Sequence, residues 1–183
     1  ANRHTISNAA KDVFSEMFPD VKFHSVYDVC HNIAKKETHT IDGEKVEVMV
    51  HRKGATRAFG PNSEDLPEVY KGVGQPVLIP GSMGTGSYVL VGTDEAMNVS
   101  FGSTAHGAGR VMSRHQAKKL FDGRVLKDEL EREEIYLKAG SVRGVADEAP
   151  LAYKDVDEVI KVSDEARIGR KVVRVKPLGV IKG

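Results

Sequence analysis

Two glycine-rich segments near the middle of the chain constrain its fold more than any other feature. Pro80–Tyr88 carries three glycines and three Ser or Thr hydroxyls, and it connects the apolar runs Pro76–Ile79 and Tyr88–Val91. Further along, Ser100–Arg110 places one histidine, His106, among glycines and other small residues. The first segment and the apolar runs around it predict a strand, a loop and a second strand. The second segment predicts another loop, and in both loops small residues let backbone N–H groups approach an anionic ligand closely.

Each loop taken alone has a simpler interpretation. A glycine-rich turn with an incidental surface histidine explains Ser100–Arg110, because a lone glycine-rich loop is a weak signal. Two such loops close together instead favour one phosphate-rich ligand held between them. His106 is then a nucleophile, a general acid or base, or a metal ligand.

The composition limits the remaining classes of protein. With 183 residues, the chain is long enough for one core and forms one domain, or at most two. The formal net charge of +1 excludes a global field that attracts nucleic acid, so such a site must be a local basic patch. The single cysteine excludes an internal disulfide framework and favours a reducing, cytoplasmic compartment. Since no apolar run approaches the roughly 20 residues of a membrane helix, we expect no membrane partner.

Hydrophobic periodicity predicts the secondary structure. Helices are predicted over residues 3–18, 113–121, 125–133 and 155–167. Strands are predicted over residues 21–31, 76–79, 88–91, 135–139 and 171–181, with a hairpin of 37–41 and 45–51 turning at Asp42-Gly43. A long loop is predicted over residues 52–67. Because strands and helices mix without regular alternation, the predicted fold class is α+β, with mixed, mainly antiparallel sheets and flanking helices.

The histidines differ in their surroundings. Four lie among polar residues and are predicted to be exposed: His4, His24, His39 and His115. His31 instead follows an apolar segment and precedes Asn32 at the end of a predicted strand, where ligands and catalytic groups are commonly displayed. A buried histidine bonded to backbone is the alternative there. No pair has the spacing of a zinc hydrolase, so the residues alone do not define a complete metal site.

One set of basic residues supplies the local patch that a nucleic-acid site in a nearly neutral chain would need. Its members are Arg52, Lys53, Arg57, Arg110 and Arg114. Arg110 and Arg114 are four positions apart and share a face if a helix begins near them. Phosphate contacts of this kind position a nucleic acid without reading its sequence, and an ordinary solvated surface is the alternative. Asp147 and Glu148 are interpreted as a solvated turn before Pro150.

A wider pattern includes both loops. Together with three further segments, they resemble the carboxy-terminal part of the RtcB family of RNA-splicing ligases; the segments are Val29–Ile33, His51–Phe59 and Gly179–Gly183. The resemblance covers nearly the whole chain in the right order. It implies an RtcB-like fold in which residues 1–183 are the carboxy-terminal catalytic portion of an incomplete domain. The start at Ala1 rather than methionine is what we expect of a piece of a longer or processed protein.

The resemblance also implies an activity. The implied protein is a GTP- and manganese-dependent RNA ligase. It joins RNA 3′-phosphate or 2′,3′-cyclic phosphate ends to 5′-hydroxyl ends in tRNA splicing and RNA repair. His106 matches the family's nucleophile, which becomes a covalent histidine–GMP, and His31 matches a ligand of manganese, of which the complete enzyme holds two ions. The other metal ligands belong to the amino-terminal part of the same enzyme, so we expect the isolated chain to be inactive. The implied partners are RNA, such as cleaved tRNA halves, and an archease-type activator.

Individual contacts carry over in the same way. Lys182 matches the lysine that reads guanine and Tyr153 an aromatic contact on the nucleotide, although a frayed terminus is the alternative for Lys182. The implied nucleotide-binding residues are His31, Asn32, Pro80, Gly81, Ser82, Met83, Ser87, His106, Gly107, Ala108, Gly109, Tyr153 and Lys182. The implied RNA-phosphate contacts are Lys53, Arg57, Arg110 and Arg114. Ala105 departs from the cysteine that the family often has, a conservative change in size.

Two other functions stay open at this point. A non-catalytic nucleotide- or RNA-binding module would keep the loops and bind nucleotide without forming an adduct. A metal-dependent phosphohydrolase would use His31 and His106 as metal ligands and release phosphate without RNA.

Overall fold

The computed structural model describes residues 2–182; Ala1 and Gly183, the two ends of the predicted 1–183 portion, lie outside the described residues. The helices are α1 (Asn2–Met17), α2 (Asp94–Val99), α3 (Arg114–Leu120), α4 (Gly123–Arg132), α5 (Val142–Asp147) and α6 (Val156–Glu165). The strands are β1 (Asn32–Ile41), β2 (Glu44–Lys53), β3 (Ala55–Arg57), β4 (Pro76–Ile79), β5 (Ser87–Val91), β6 (Ser103–Ala105), β7 (Tyr136–Ala139), β8 (Arg170–Val175) and β9 (Gly179–Lys182). Single 3-10 turns occur at Glu68–Tyr70 and Pro150–Ala152.

The predicted hairpin is confirmed, and its strands are longer than predicted. β1 and β2 pair antiparallel from Asn32 opposite Lys53 to Ile41 opposite Glu44. The turn between them, Asp42-Gly43, has φ of 52° and 86°. Positive φ at both central residues matches the right-handed twist of the strands, which explains why this dipeptide folds the chain back here.

The remaining strands form small sheets around the two glycine-rich loops. β4, β5 and β8 make one antiparallel sheet, β3 pairs antiparallel with β6, and β7 pairs parallel with β9. The mainly antiparallel α+β fold is therefore confirmed, with β7 and β9 as a parallel pair. β4 and β5 flank the loop 80–86, as the sequence predicts.

Two apolar clusters hold these elements, and the serine-rich loop connects them. Met83 in the loop is buried in the first cluster, with residues of α4, β7 and α5 such as Leu130 and Val145. Tyr88, directly after the loop, is buried in the second, which also contains Leu90 and Ile160. Because the middle of the loop is anchored in one cluster and the strand after it in the other, packed side chains on both sides hold the loop in place.

The strand predicted over residues 21–31 is wrong. This segment lies between α1 and β1 in irregular structure, and within residues 2–182 no strand pairs with it. Its apolar residues Val21, Phe23 and Val26 are exposed, and the ring centroid of Phe23 lies 5.8 Å from that of Phe14 in α1. Alternating polarity cannot make a strand where no partner strand offers its hydrogen-bonding groups.

The single closing strand predicted over residues 171–181 is also wrong. It divides at Pro177 into β8, which pairs with β5, and β9, which pairs with β7. Proline has no N–H to donate to a ladder, so the chain leaves one sheet and enters another. The long loop predicted from Arg52 to Pro67 likewise contains the end of β2 and all of β3.

Short elements account for most of what the sequence missed. α2 and α5 have six residues each, too few to show a helical period, although their N-caps Thr93 and Ser141 accept the expected backbone hydrogen bonds.

Among the described residues, none of the helices combines the length and apolar character needed to cross a bilayer.

Candidate active site

Two histidines far apart in sequence lie side by side in the structure. β6 ends at Ala105, directly before His106, and Ala105 pairs with Ala55 at the start of β3. His31 directly precedes β1, and its carbonyl accepts a hydrogen bond from the Gly54 N–H at 3.1 Å. The two imidazole rings stack with centroids 4.8 Å apart and planes 21° from parallel. The predicted metal ligand and the predicted nucleophile therefore share one site.

Gly54 lies behind the pair and is a residue that sequence reasoning passed over. Its φ of +73° is in the left-handed region, which disfavours any side chain. A Cβ there would lie 3.8 Å from His106 Cε1, an ordinary contact distance. The backbone conformation, rather than lack of space, therefore favours glycine at this point, between β2 and β3.

The two glycine-rich loops are joined directly. The Ala108 N–H donates to the Pro80 carbonyl at 3.1 Å, so the histidine loop is attached to the start of the serine-rich loop. Gly107 lies against Pro80 as well, because a Cβ on it would be 3.4 Å from the Pro80 carbonyl oxygen. This connection brings the loop hydroxyls and the imidazole pair to the same region of the molecule.

Hydroxyl groups organise the serine-rich loop from within. The Ser82 N–H donates to Thr85 Oγ1 at 2.7 Å, and the Gly81 N–H donates to Ser87 Oγ at 3.3 Å. A Cβ at Gly81 would lie 2.2 Å from the Gly86 carbonyl oxygen, so only glycine fits. Ser82 and Ser87 are half-buried. The Met83 side chain, by contrast, is buried in the core, so only the backbone of Met83 can contact a ligand.

Glu148 lies at the centre of a second group of charged and polar side chains, which we call the Glu148 cluster: Glu148, Arg110, Arg114, Tyr153 and Lys182. Its carboxylate, only 11% exposed, lies 3.1 Å from Lys182 Nζ, 3.6 Å from Arg114 Nη2 and 3.7 Å from Arg110 Nη1. The Tyr153 hydroxyl also donates to it. The interpretation of Asp147-Glu148 as a solvated turn is therefore wrong, because Glu148 is buried and its three cationic partners are distant in the sequence.

The electrostatics of this cluster favour an ionised carboxylate. Burial acts to raise the pKa of Glu148, but the bonds from Tyr153 and Lys182 and the charge of Arg110 outweigh burial and lower it. Burial and the hydrogen bond to Glu148 raise the pKa of Tyr153. Three cations surround one carboxylate, so the cluster keeps an excess of positive charge that suits an anionic ligand.

The structure separates the members of the predicted basic patch. Arg110 donates hydrogen bonds to the Met112 and Asp147 carbonyls and to the Tyr153 hydroxyl. Its guanidinium lies 4.7 Å from the Tyr153 ring centroid. Arg114, the first residue of α3, is 69% exposed. Lys53 is also exposed, at the end of β2. Arg114 and Lys53 are thus the members best placed to meet an external phosphate.

Two arginines of the same patch face inward. Arg57 donates to Gln75 and to the Tyr27 hydroxyl, both at 3.0 Å, and is half-buried. Arg52 is 1% exposed and donates to both oxygens of Glu37 at 2.6 Å and 2.8 Å. The prediction that Arg52 belongs to an RNA-binding surface is wrong, because the alternating polarity of β2 does not reveal that a buried carboxylate faces it.

His39 was predicted to be exposed, and that prediction is also wrong. Its ring is buried, with Nε2 3.1 Å from the Glu37 carboxylate and the Phe101 ring 5.0 Å away between centroids. Burial acts to raise the pKa of Glu37, but hydrogen bonds from Arg52 and His39 outweigh it, so this pKa is lowered. His4, His24 and His115 are exposed, as predicted.

The metal-binding capacity of the described chain is limited. Across residues 2–182, the structure has no group of three or more His, Cys, Asp or Glu side chains arranged to hold a metal ion. His31 supplies an imidazole, a donor that first-row divalent metals accept, and it lies against His106. This part of the chain fits one ligand of a metal site rather than the whole of it.

A cavity of about 740 Å³ lies elsewhere, between the β1–β2 hairpin and two other stretches of the chain, residues 59–65 and 94–98. Among its lining residues are His39 and Glu47, and it contains none of the predicted site residues. The candidate active site is therefore defined by the imidazole pair and the loops rather than by this cavity.

Two imidazoles beside loops lined by glycine and hydroxyl groups form a site suited to a phosphate-bearing ligand. Comparison with known proteins gives the family. A family model described as tRNA-splicing ligase RtcB matches residues 1–183. The chain belongs to the RtcB family, and the resemblance inferred from its motifs is confirmed.

Relatives named tRNA-splicing ligase RtcB match along the full chain. That of Pyrococcus furiosus is 55% identical over 188 residues, covering 100% of this chain and 19% of the relative. Those of Archaeoglobus fulgidus and Thermococcus kodakarensis are 53% and 52% identical, each covering 100% of this chain and 39% of the relative. The chain spans about two fifths or less of the length of these relatives.

Proposed function

We propose that this chain is the carboxy-terminal catalytic portion of a GTP- and manganese-dependent RNA ligase that acts on cleaved tRNA halves and other broken RNA. The observation that carries the proposal is the stacked pair of His31 and His106, in a chain that belongs to the RtcB family. The junction of the two loops through Ala108 and Pro80 supports it, because it gathers backbone and hydroxyl donors beside the imidazoles.

The proposed reaction begins at His106. A ring nitrogen of His106 attacks the α-phosphorus of GTP; the nitrogen–phosphorus bond forms, the bond from that phosphorus to the bridging oxygen breaks, and pyrophosphate leaves. Any 2′,3′-cyclic RNA end is first opened by water to a 3′-phosphate. An oxygen of that phosphate then attacks the guanylate phosphorus and displaces the imidazole. Finally, the 5′-hydroxyl of the second RNA attacks the 3′-phosphorus, loses its proton and releases GMP.

The surrounding residues have separate tasks in this scheme. Ser82 and Ser87 hold the nucleotide, together with the backbone of Gly107 to Gly109. Lys182 contacts the guanine O6 acceptor and Tyr153 contacts the base. Lys53 and Arg114, the most exposed members of the basic patch, hold RNA phosphates.

Manganese, with His31 as one ligand and the remaining ligands in the amino-terminal part of the enzyme, would offset negative charge on the phosphate oxygens. His31 has a second task that does not depend on the ion, because its ring covers one face of His106 and restricts its orientation. We propose an archease-type activator as a further partner and the cytoplasm as the compartment, in keeping with the single cysteine.

The test is incubation of the chain with radiolabelled GTP and manganese, with and without a separately supplied amino-terminal portion. We expect covalent labelling of the chain only when both portions are present, and loss of labelling in His106→Ala. Strong labelling of the chain alone would contradict the proposed division of metal ligands. Nucleotide binding without any labelling, even in the complete enzyme, would support a binding module instead.

A further inference from the structure

The Glu148 cluster connects two sets of residues that the proposed function treats separately. Lys182 and Tyr153 are proposed nucleotide contacts, whereas Arg110 and Arg114 were predicted as RNA contacts. All four side chains approach one buried carboxylate, that of Glu148. The proposed reaction assigns no task to this carboxylate, although it lies at the point where both sets meet.

The backbone fixes the positions of Lys182 and Tyr153 but not the ends of their side chains. Lys182 lies on β9 opposite Ala139, and its carbonyl accepts a hydrogen bond from the Gly140 N–H at 2.9 Å. The segment after Tyr153 is held by the Lys154 N–H, which donates to the Gly109 carbonyl at 2.9 Å. A lysine ammonium still moves on a flexible four-carbon stem, so its location depends on a partner for the charge.

Glu148 provides that partner and leaves hydrogen-bonding capacity for a ligand. A lysine ammonium has three donors, and the contact with Glu148 at 3.1 Å occupies one of them. The Tyr153 hydroxyl, in contrast, donates to Glu148 and accepts from Arg110 Nη1 at 2.9 Å. Since the hydroxyl is engaged on both sides, the part of Tyr153 that remains for a base is its aromatic ring, on the face that the Arg110 guanidinium does not cover.

We propose that Glu148 is a positioning residue of the nucleotide site, which holds the Lys182 ammonium and the Tyr153 ring in the arrangement that receives guanine. This inference rests on the proposed function. Glu148 acts through these two side chains and makes no contact with the nucleotide itself. Because three cations surround it, Glu148 orders the cluster without cancelling its positive charge.

The test is the kinetics of His106 guanylylation in the complete ligase that contains this chain. Glu148→Gln keeps the size of the side chain and removes its charge. We expect KM for GTP to rise by about 10-fold while the rate at saturating GTP changes by less than about three-fold, because binding of the base is lost in ground state and transition state alike. The preference for GTP over ATP is expected to fall by about 10-fold, because a mobile Lys182 distinguishes guanine O6 less well.

The matched control is the neighbouring carboxylate. Asp147→Asn changes a residue that pairs with Lys118 at 3.3 Å and has no ion pair to Lys182. We expect this variant to keep the wild-type KM for GTP and the wild-type base preference. An equal rise of KM in both variants would overturn the inference, because it would indicate general loosening of the end of α5.

A double-mutant cycle separates positioning from a structural role. If Glu148 acts through Lys182, adding Glu148→Gln to Lys182→Met should raise KM by no more than about two-fold beyond Lys182→Met alone. Effects that multiply would overturn the inference. If Glu148→Gln fails to fold, Glu148→Asp keeps the charge and withdraws it by one methylene; we expect an intermediate KM, and a wild-type KM would overturn the inference.

The outcomes also distinguish this inference from the proposed function. A wild-type KM for GTP in Glu148→Gln, together with a normal adduct on His106, would overturn only the positioning role. Labelling that persists in His106→Ala would overturn the proposed function itself.

Discussion

Glu37 and Glu148 are both buried carboxylates that bind a guanidinium and a ring-bearing side chain, yet their surroundings differ. The partners of Glu37 are shielded from solvent, since the Arg52 and His39 side chains are each 1% exposed. Two partners of Glu148 reach solvent: Lys182 is 32% exposed and Arg114 is 69% exposed. Exposure of the partners, rather than burial of the carboxylate, therefore separates an ion pair that only holds the fold from one that can also serve a ligand.

The closed pair has its own connection to the active site. Arg52 on β2 donates to Glu37 on β1, and also to Ser103 Oγ at 2.9 Å and the Phe101 carbonyl at 2.7 Å. Ser103 begins β6, which ends directly before His106. Arg52 thus attaches the hairpin to the strand that presents the proposed nucleophile.

The largest expected effect is the loss of stability on opening the closed pair. Arg52→Met leaves the Glu37 carboxylate buried without its cation, and we expect the free energy of unfolding to fall by about 3–5 kcal/mol. Glu148→Gln leaves cations that reach solvent, and we expect a loss of about 1–2 kcal/mol. Urea denaturation of the two variants measures both. Equal losses, or a larger loss for Glu148→Gln, would contradict the comparison.

Acid should weaken both clusters. Because the pKa values of Glu37 and Glu148 are lowered in the folded state, their stabilisation is complete above the usual value of 4.5. It is lost as the pH falls through the lowered values. We expect the free energy of unfolding to decrease below about pH 4.5, with a shallower decrease in Glu37→Gln. An unchanged pH dependence in that variant would show that Glu37 is not a source of the acid sensitivity.

The raised pKa of Tyr153 gives a more local readout. Burial and Glu148 both raise it, so Glu148→Gln should lower the pKa of Tyr153 in an ultraviolet titration. Tyr88 is the matched control, because its pKa is raised first by a hydrogen bond to Asp157 instead. We expect Asp157→Asn to lower the pKa of Tyr88 and leave Tyr153 unchanged. A common response of both tyrosines would mean that the two carboxylates do not act separately.

The smallest effect belongs to an exposed pair on α4. Lys127 and Glu131 are four residues apart with 3.5 Å between Nζ and Oε1, and both are about half exposed. Glu131→Gln should cost only about 0.3–0.5 kcal/mol in urea denaturation. A loss as large as that of Arg52→Met would contradict the view that burial of the partners sets the magnitude.

Much of the fold was predictable where the signal is local. Asp42-Gly43 between alternating residues predicts the β1–β2 hairpin, and both of its residues adopt the positive φ that the turn needs. Ser113 predicts the start of α3, where it forms a capping box with Gln116. Each of these signals is contained within a few residues, so no tertiary information is needed to interpret it.

What escaped prediction depends on distant partners. His39 was predicted to be exposed, and no local pattern marks Glu37 as buried, because only the register of β1 against β2 and the contact of His39 with Phe101 reveal their burial. Glu148 was interpreted as a turn residue, although its partners Arg110, Arg114 and Lys182 are distant in the sequence. Residues 21–31 alternate in polarity like a strand, but the fold provides no partner strand among the described residues. The motifs predicted His31 and His106 individually, while their stacking required the structure.

The central claim is that the ring of His106 bonds to phosphorus during turnover. The most direct measurement is the intact mass of the complete ligase after reaction with GTP, followed by mapping of the modified peptide. The account predicts a gain equal to one GMP, located on His106 within residues 100–110 and absent from His106→Ala. A guanylate mapped to any other side chain, or a gain that survives in His106→Ala, would contradict it.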